Sequence, residues 1–216
     1  MSVIPRWVLG RLQQAAPTDA ETGGQAGPSD NLLVARAQAG DLRAFDSLVE
    51  RYRGKIYAII VNLIKDSAES WDLAQDVFLK AWKALPKFEA RSQFYTWLYR
   101  IAHNVVYDWM RKRKSRGPHV EETAIRQDNI EAGARTAPRE AIQPDAQAER
   151  GELRERLDAA LAQISEDHRT AILLKEVQGL KYHEIADVMG CSIGTVMSRL
   201  FYARKKLQEI LKRNEE

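Results

Sequence analysis

The sequence predicts an all-α protein of two small helical domains joined by a flexible acidic linker. Three observations carry that prediction. Apolar side chains recur at steps of three and four wherever a pattern is present. No segment alternates apolar and polar residues long enough to make a strand. Between the two patterned blocks, residues 117–150 hold Gly117, Pro118, Gly133, Pro138 and Pro144 and no aromatic residue. Such a stretch cannot bury enough surface to offset its ordering entropy.

The elements follow in chain order. Residues 1–32 read as a flexible N-terminal extension, with Pro17, Gly23, Gly24, Gly27 and Pro28. Its Trp7, Val8, Leu9 and Leu12 make at most one short amphipathic turn. The first domain spans 33–115. Phe45, Leu48, Tyr52, Ile56, Ile59 and Leu63 form the apolar face of a long helix that Asp41 is placed to cap. A second helix follows Asp66, turns Trp71, Ala74, Phe78, Ala81 and Leu85 inward, and ends with the help of Pro86. A third starts near Gln93, with Phe94, Trp97, Ile101, Val105 and Trp109 on one side. The linker occupies 116–151. The second domain, 152–213, holds Ala186, Gly190 and Val196 at the spacing of a helix-turn-helix. That motif needs a small residue where two helices cross, a glycine in the turn and an apolar lock on the second helix. Ile193, Val196, Leu200, Ala203, Leu207 and Ile210 make that helix's inner stripe.

Composition sets the bounds. A chain of 216 residues with 44% hydrophobic and 29% charged content is globular. Its single cysteine, Cys191, excludes an internal disulfide or a Cys-rich zinc module and fits a reducing compartment. No apolar run approaches the roughly 20 residues of a membrane helix, and Trp7 to Leu9 is too short for a signal-peptide core. Secretion and membrane insertion are therefore not expected. The net charge of +3 hides an uneven distribution. Residues 31–117 are net +7 and residues 118–150 net −3.

Three constellations carry chemistry. On the last helix, Thr195, Ser198, Arg199, Tyr202 and Lys206 share the outer face, a set suited to base edges in a major groove. Arg204, Lys205, Lys206, Lys212 and Arg213 suit phosphate contact. The plainer alternative is a helical hairpin with a solvated polar face. The second constellation runs from Phe88 to Arg116. Seven of seventeen aromatics lie between positions 88 and 109, followed by five basic residues among positions 111–116. With Phe94, Trp97 and Trp109 in the core, Phe88, Tyr95, Tyr99 and Tyr107 are left for other surfaces. Aromatic faces beside cations suit unpaired bases and their backbone. The third, Asp72, Gln75, Asp76, Leu79 and Lys83, shares the outer face of the second helix. It reads either as a docking strip for a basic partner or as an ordinary surface with one exposed leucine.

Catalytic signals are poor. His103, His119, His168 and His183 have no metal-type spacing, and His168 reads as part of a helix start. There is no phosphate-binding glycine loop and no nucleophile elbow. Neither an enzyme nor a cofactor or metal is expected.

Together the segments resemble the sigma-70 family of transcription initiation factors, in its extracytoplasmic-function (sigma-E-like) branch. Asp72-Leu73-Ala74-Gln75-Asp76-Val77-Phe78-Leu79-Lys80-Ala81-Trp82 resembles the family's core-polymerase-binding segment. Phe94-Tyr95-Thr96-Trp97-Leu98-Tyr99-Arg100-Ile101-Ala102-His103-Asn104 resembles its promoter-melting and minus-ten segment. Glu184-Ile185-Ala186 and Gly190-Cys191-Ser192-Ile193-Gly194-Thr195-Val196 resemble its minus-thirty-five helix-turn-helix. The resemblance covers 33–115, as sigma region 2, and 152–213, as sigma region 4, in the family's order.

It implies a bacterial cytoplasmic protein that binds core RNA polymerase (the beta and beta-prime subunits) and promoter DNA and directs a stress-type regulon. It also implies an anti-sigma factor as partner. Asp72, Gln75, Asp76 and Leu79 would engage the polymerase clamp helices. Phe88, Glu89, Ala90, Arg91 and Ser92 would form the loop that captures a flipped minus-ten base. Tyr95, Arg100, Asn104, Arg111 and Arg113 would join them on that element. Ser192, Thr195, Met197, Ser198, Arg199, Tyr202 and Lys206 would meet the minus-thirty-five duplex. The acidic linker would lie in polymerase channels near the template and RNA path. Family members often carry a basic residue at the positions of Met197 and Tyr202. This chain has neither, which leaves fewer arginine-type guanine contacts. The rival readings are a free-standing helix-turn-helix regulator, which would need a dimer interface, and a metal-dependent nucleic-acid enzyme, which lacks ligands.

Overall fold

The computed structural model describes residues 27–115 and 156–213; the linker expectation, His119 and the segment from Trp7 to Leu12 fall outside them. Helix α1, Asp30–Gln38, precedes the first predicted helix and starts inside the stretch expected to be flexible. Ser29 caps it, and Leu33, Val34 and Ala37 bury its inner face. Asp30 is held by the Arg51 guanidinium and the Tyr52 hydroxyl, so the helix is tied down at its first residue. At its other end, the Gln38 amide donates to the carbonyls of Leu85 at 2.9 Å and Phe88 at 2.8 Å.

Helix α2, Leu42–Ile64, begins at Asp41 as expected, its side chain accepting from the Ala44 amide. Arg36 grips that same carboxylate at 2.6 Å and holds the Asp41 pKa below its ordinary value. Leu48, Tyr52, Ile56, Ile59, Ile60 and Leu63 are buried along the helix. Lys65 ends it in the left-handed region at φ 57°. Helix α3, Ser67–Ala84, is capped by Asp66 and closes on a 3-10 turn, Leu85–Lys87, that carries Pro86. Helix α4, Phe94–Ser115, packs against α2 and α3. These four helices enclose one core in which Phe94 meets Tyr52, Phe88 and Trp97 at ring-centre distances of 5.6, 6.1 and 5.7 Å.

The second unit starts with helix α5, described over 156–162. Helix α6, Glu166–Ile172, is capped by Ser165 and continues as a π-helical turn, Leu173–Val177. Ser165 accepts from the His168 amide, which places that histidine at a helix start as expected. Helix α7, Tyr182–Met189, ends on Gly190 at φ 61°, a conformation strained for any residue with a Cβ. Helix α8, Ile193–Arg213, follows, with the Ser192 hydroxyl accepting from the Thr195 amide at 3.1 Å. Ala186 and Val196 are buried at the α7–α8 crossing, as the helix-turn-helix spacing requires. Ile193 departs from the expected inner stripe and stays largely exposed. It precedes the point at which α8 meets the rest of the domain.

The two units pack together, α7 against α4 and α6 against α2. Polar pairs cross the contact. Tyr95 donates to Glu184, Tyr99 to Gln178 at 2.5 Å and Tyr107 to Asp167 at 2.7 Å. Lys65 pairs with Asp158 at 2.8 Å and Lys114 with Glu166 at 2.7 Å. The Arg169 guanidinium donates to the carbonyls of Leu161, Ala162 and Ile164 and, across the boundary, to that of Leu63 at 3.0 Å. Carbonyls at helix C-termini lack partners inside the helix, so this one cation satisfies the ends of α5 and α2 together.

Candidate nucleic-acid interface

Helix α3 presents Asp72, Gln75, Asp76 and Leu79 to solvent on one face, as its spacing demands. Beside them lies something the sequence reading missed. Phe45, Val49, Arg53, Trp71, Ala74, Gln75, Phe78, Leu79 and Trp82 line a mainly apolar groove of about 440 Å³ between α2 and α3. Trp71, expected inside, is half exposed and stacks on Tyr57 at 4.4 Å. Trp71, Phe78 and Trp82 make a second, aromatic stripe on α3, rotated from the buried 70, 73, 74, 77, 81 set. Carboxylates at the rim and aromatic rings on the floor suit a partner helix that carries both cations and apolar side chains.

The loop ahead of α4 builds a different surface. Glu89 and Arg91 pair at 2.6 Å, and Ala90 sits at φ 53°. Phe88 and Tyr99, expected on outer surfaces, are buried instead: Phe88 packs on Trp97 at 4.8 Å, and Tyr99 bonds Gln178. Phe88 therefore anchors the loop from within, while Glu89, Ala90 and Arg91 remain exposed and Ser92 half-buried. A cavity of about 470 Å³ opens here, lined by Lys87, Phe88, Glu89, Arg91, Ser92, Thr96, Trp97, Arg100 and Asp187. A neighbouring cavity of about 280 Å³ shares Arg91, Ser92 and Thr96 and reaches His183, Glu184 and Asp187. Helix α7 thus walls both. Burial, then the bond to Glu184, pushes the Tyr95 pKa up to about 12. Arg100 and Asn104 are exposed farther along α4. At its basic end, Arg111 pairs with Asp108 at 2.7 Å, and the Arg113 guanidinium lies 5.0 Å from the Trp109 ring centre.

Helix α8 carries the third surface. Ser192, Met197, Ser198, Tyr202 and Lys206 are exposed, and Thr195 is half-buried. Arg199 overturns its expected outward position. Its guanidinium turns in to Asp167 of α6 and to the Cys191 sulfur at 3.5 Å, leaving the side chain 22% exposed. Arg204, expected at phosphates, is likewise drawn to Glu176 at 2.7 Å. Phe201, assigned to no face from sequence, is exposed next to Tyr202, their rings edge-on at 5.4 Å. Its position, one turn from Met197, is the signal that marks it. Among the described residues no group of three or more His, Cys, Asp or Glu is placed to hold a metal. No described helix is long and apolar enough to cross a membrane.

Comparison with known proteins supplies the context of these surfaces. Residues 48–116 match the family model of Sigma-70 region 2, and residues 154–207 that of Sigma-70, region 4. The chain is 41% identical over 186 residues to the RNA polymerase sigma-H factor of Pseudomonas aeruginosa, covering 84% of this chain and 93% of that one. It is 39% identical over 189 residues to the ECF RNA polymerase sigma-E factor of Escherichia coli, covering 86% and 97%. Among solved structures, CnrH in complex with the cytosolic domain of CnrY matches with a TM-score of 0.62 at 25% identity, over 86% of this chain and 99% of that chain. The sigma factor RpoE in complex with the anti-sigma factor NepR, from Bartonella quintana, matches with a TM-score of 0.58 at 29% identity, over 78% and 96%.

Proposed function

The chain belongs to the sigma-70 family, in its extracytoplasmic-function branch, and from that premise we propose how its three surfaces divide the work of starting transcription. The α3 strip and its groove dock on the clamp helices of core RNA polymerase, with Asp72, Gln75, Asp76 and Leu79 at the contact. Helix α8 lies in the major groove of the upstream duplex element. The Phe88 to Ser92 loop and α4 hold the downstream element once it opens. Flipping one base costs a few kcal/mol of lost stacking and pairing. The cavity beside the loop offsets that cost with contacts that exist only after the base has left the stack, so no nucleotide hydrolysis is needed. Arg100, Arg111 and Arg113 follow the strand's phosphates.

In the closed arrangement Asp187 borders the loop cavity and Glu184 holds Tyr95. A strand enters only after α7 leaves α4, so opening of the two units accompanies polymerase binding. An anti-sigma factor that keeps them closed or covers the α3 groove would silence the protein, and the site of action is the cytoplasm of a bacterium. The observation that carries the reading is the presence in one chain, in order, of an acidic–apolar groove, an aromatic-basic helix and a helix-turn-helix. The test is transcription from genomic fragments in vitro. Defined transcripts are expected only when the protein and core polymerase are both present. Specific DNA binding by the protein alone, with no change in transcript start sites, would favour the free-standing regulator.

A further inference from the structure

The outward face of α8 is apolar where a groove-reading helix ordinarily carries cations. Met197 is 55% exposed, Phe201 62% and Tyr202 57%, with Ile193 one turn before Met197. From Ser192 to Arg204 the chain has no lysine and two arginines, Arg199 and Arg204. Both are committed inside the domain, to Asp167 and to Glu176. The exposed cations, Lys205 and Lys206, come only afterwards, at the end of the apolar patch. Guanine is read in the major groove by arginine or lysine at its O6 and N7. This face offers neither over its first three turns. It offers a thioether and two rings, flanked by the hydroxyls of Thr195 and Ser198.

Contiguous large apolar side chains on a soluble surface mark an interaction site. The lysines that follow, and the helix-turn-helix that presents the helix, commit this one to a duplex. The apolar group that a base pair shows in the major groove is the C5-methyl of thymine. On the reading of α8 as the duplex-reading helix, we infer that Met197 and Phe201 determine specificity by packing on thymine methyls of the upstream element. Tyr202 braces the Phe201 ring, and Lys205 and Lys206 hold the phosphates. The upstream element is then selected for thymine, and guanine contributes little at the positions these two side chains face.

The test uses holoenzyme assembled from the full chain and core polymerase. A promoter library randomised over the upstream element defines the preferred thymines, and each is then replaced by uracil, which removes the methyl group alone. The wild type should lose about fourfold in affinity per methyl removed, the equivalent of one buried methyl group. Met197→Ala and Phe201→Ala should each bind thymine and uracil alike at the position the replaced side chain faces, with affinity for core polymerase unchanged because the docking strip lies on α3. Met197→Arg should move the preference at one position to guanine. If the wild type does not distinguish thymine from uracil at any position, or if both alanine variants distinguish them at every position where the wild type does, the inference falls and the patch belongs to a protein partner. The sigma-factor reading survives that result, since the library still yields a preferred element. If the holoenzyme shows no upstream preference at all, the duplex-reading role of α8 falls as well.

Discussion

Arg199 illustrates how little a single position reveals until its neighbours from other elements are in place. On a helical wheel it lies at the margin, three residues beyond buried Val196 and four before buried Ala203. A long cation at a margin can turn either way. Asp167, on a helix two elements earlier, turns it inward, and no periodicity within α8 encodes that partner. Arg199→Ala should therefore leave base preference unchanged and lower stability by about 1–2 kcal/mol. That figure is that of a charged hydrogen bond, reduced because Asp167 remains partly in solvent. A binding-site selection and a denaturant midpoint, run on the same variant, separate the two roles. The same limit hid Phe88 and Tyr99. Their aromatic character was plain, but whether each ring faces a core or a ligand depends on what packs over it.

Helices fared better than side chains because their signals are local. Asp41 and Asp66 stand where capping chemistry puts them, and α2, α3 and α4 keep buried faces of five to nine residues each at helical spacing. Helix α1 escaped notice for the opposite reason. It has nine residues and three buried side chains, and its stability comes from Asp30 and Gln38 reaching other elements. The groove on α3 is half visible in the sequence: helical spacing puts Asp72, Gln75, Asp76 and Leu79 on the outer face, but it also turns Trp71 and Phe78 inward, where the structure has them lining the groove. Asp76→Arg tests the rim. The residue is exposed, so its thermal melt should match the wild type. Reversing one charge at an interface centre should weaken core-polymerase binding at least tenfold. Equal affinity at equal stability would move the docking surface elsewhere.

The closed packing of the two units was invisible in the sequence, since its tyrosine–acid and tyrosine–amide pairs join residues 60 to 89 positions apart. It also has a titratable element. His103 stacks on Tyr107 at 4.2 Å where α4 meets α6, and its Nδ1 is buried without a hydrogen-bond partner among the described residues. Burial holds its pKa below the ordinary 6.5; Arg199 lowers it further, while Asn104 and Asp167 act against the shift. A histidine with a depressed pKa contributes its full stabilisation above the ordinary value and loses it as pH falls through the depressed one. The closed form should therefore loosen as pH falls below the ordinary histidine value of 6.5 and through the depressed one. Fluorophores placed on α1 and α8 should report lower transfer efficiency at the acid end. His103→Gln should flatten the response.

Arg169 bonds the Leu63 carbonyl across the boundary at 3.0 Å, and this gives the two halves an attachment that does not run through the peptide chain. A nick anywhere between residues 116 and 155 would then leave a two-piece protein rather than two separated fragments. Residues 1–116 and 154–216, produced as separate polypeptides, should reassemble in the test tube and sediment as one species. Tyr99→Phe, which deletes a single hydroxyl at the seam, should shift that equilibrium toward the parts. In a cell, proteolysis of the connector would go unnoticed until polymerase drew the halves apart, and only then would the upstream-reading half be lost.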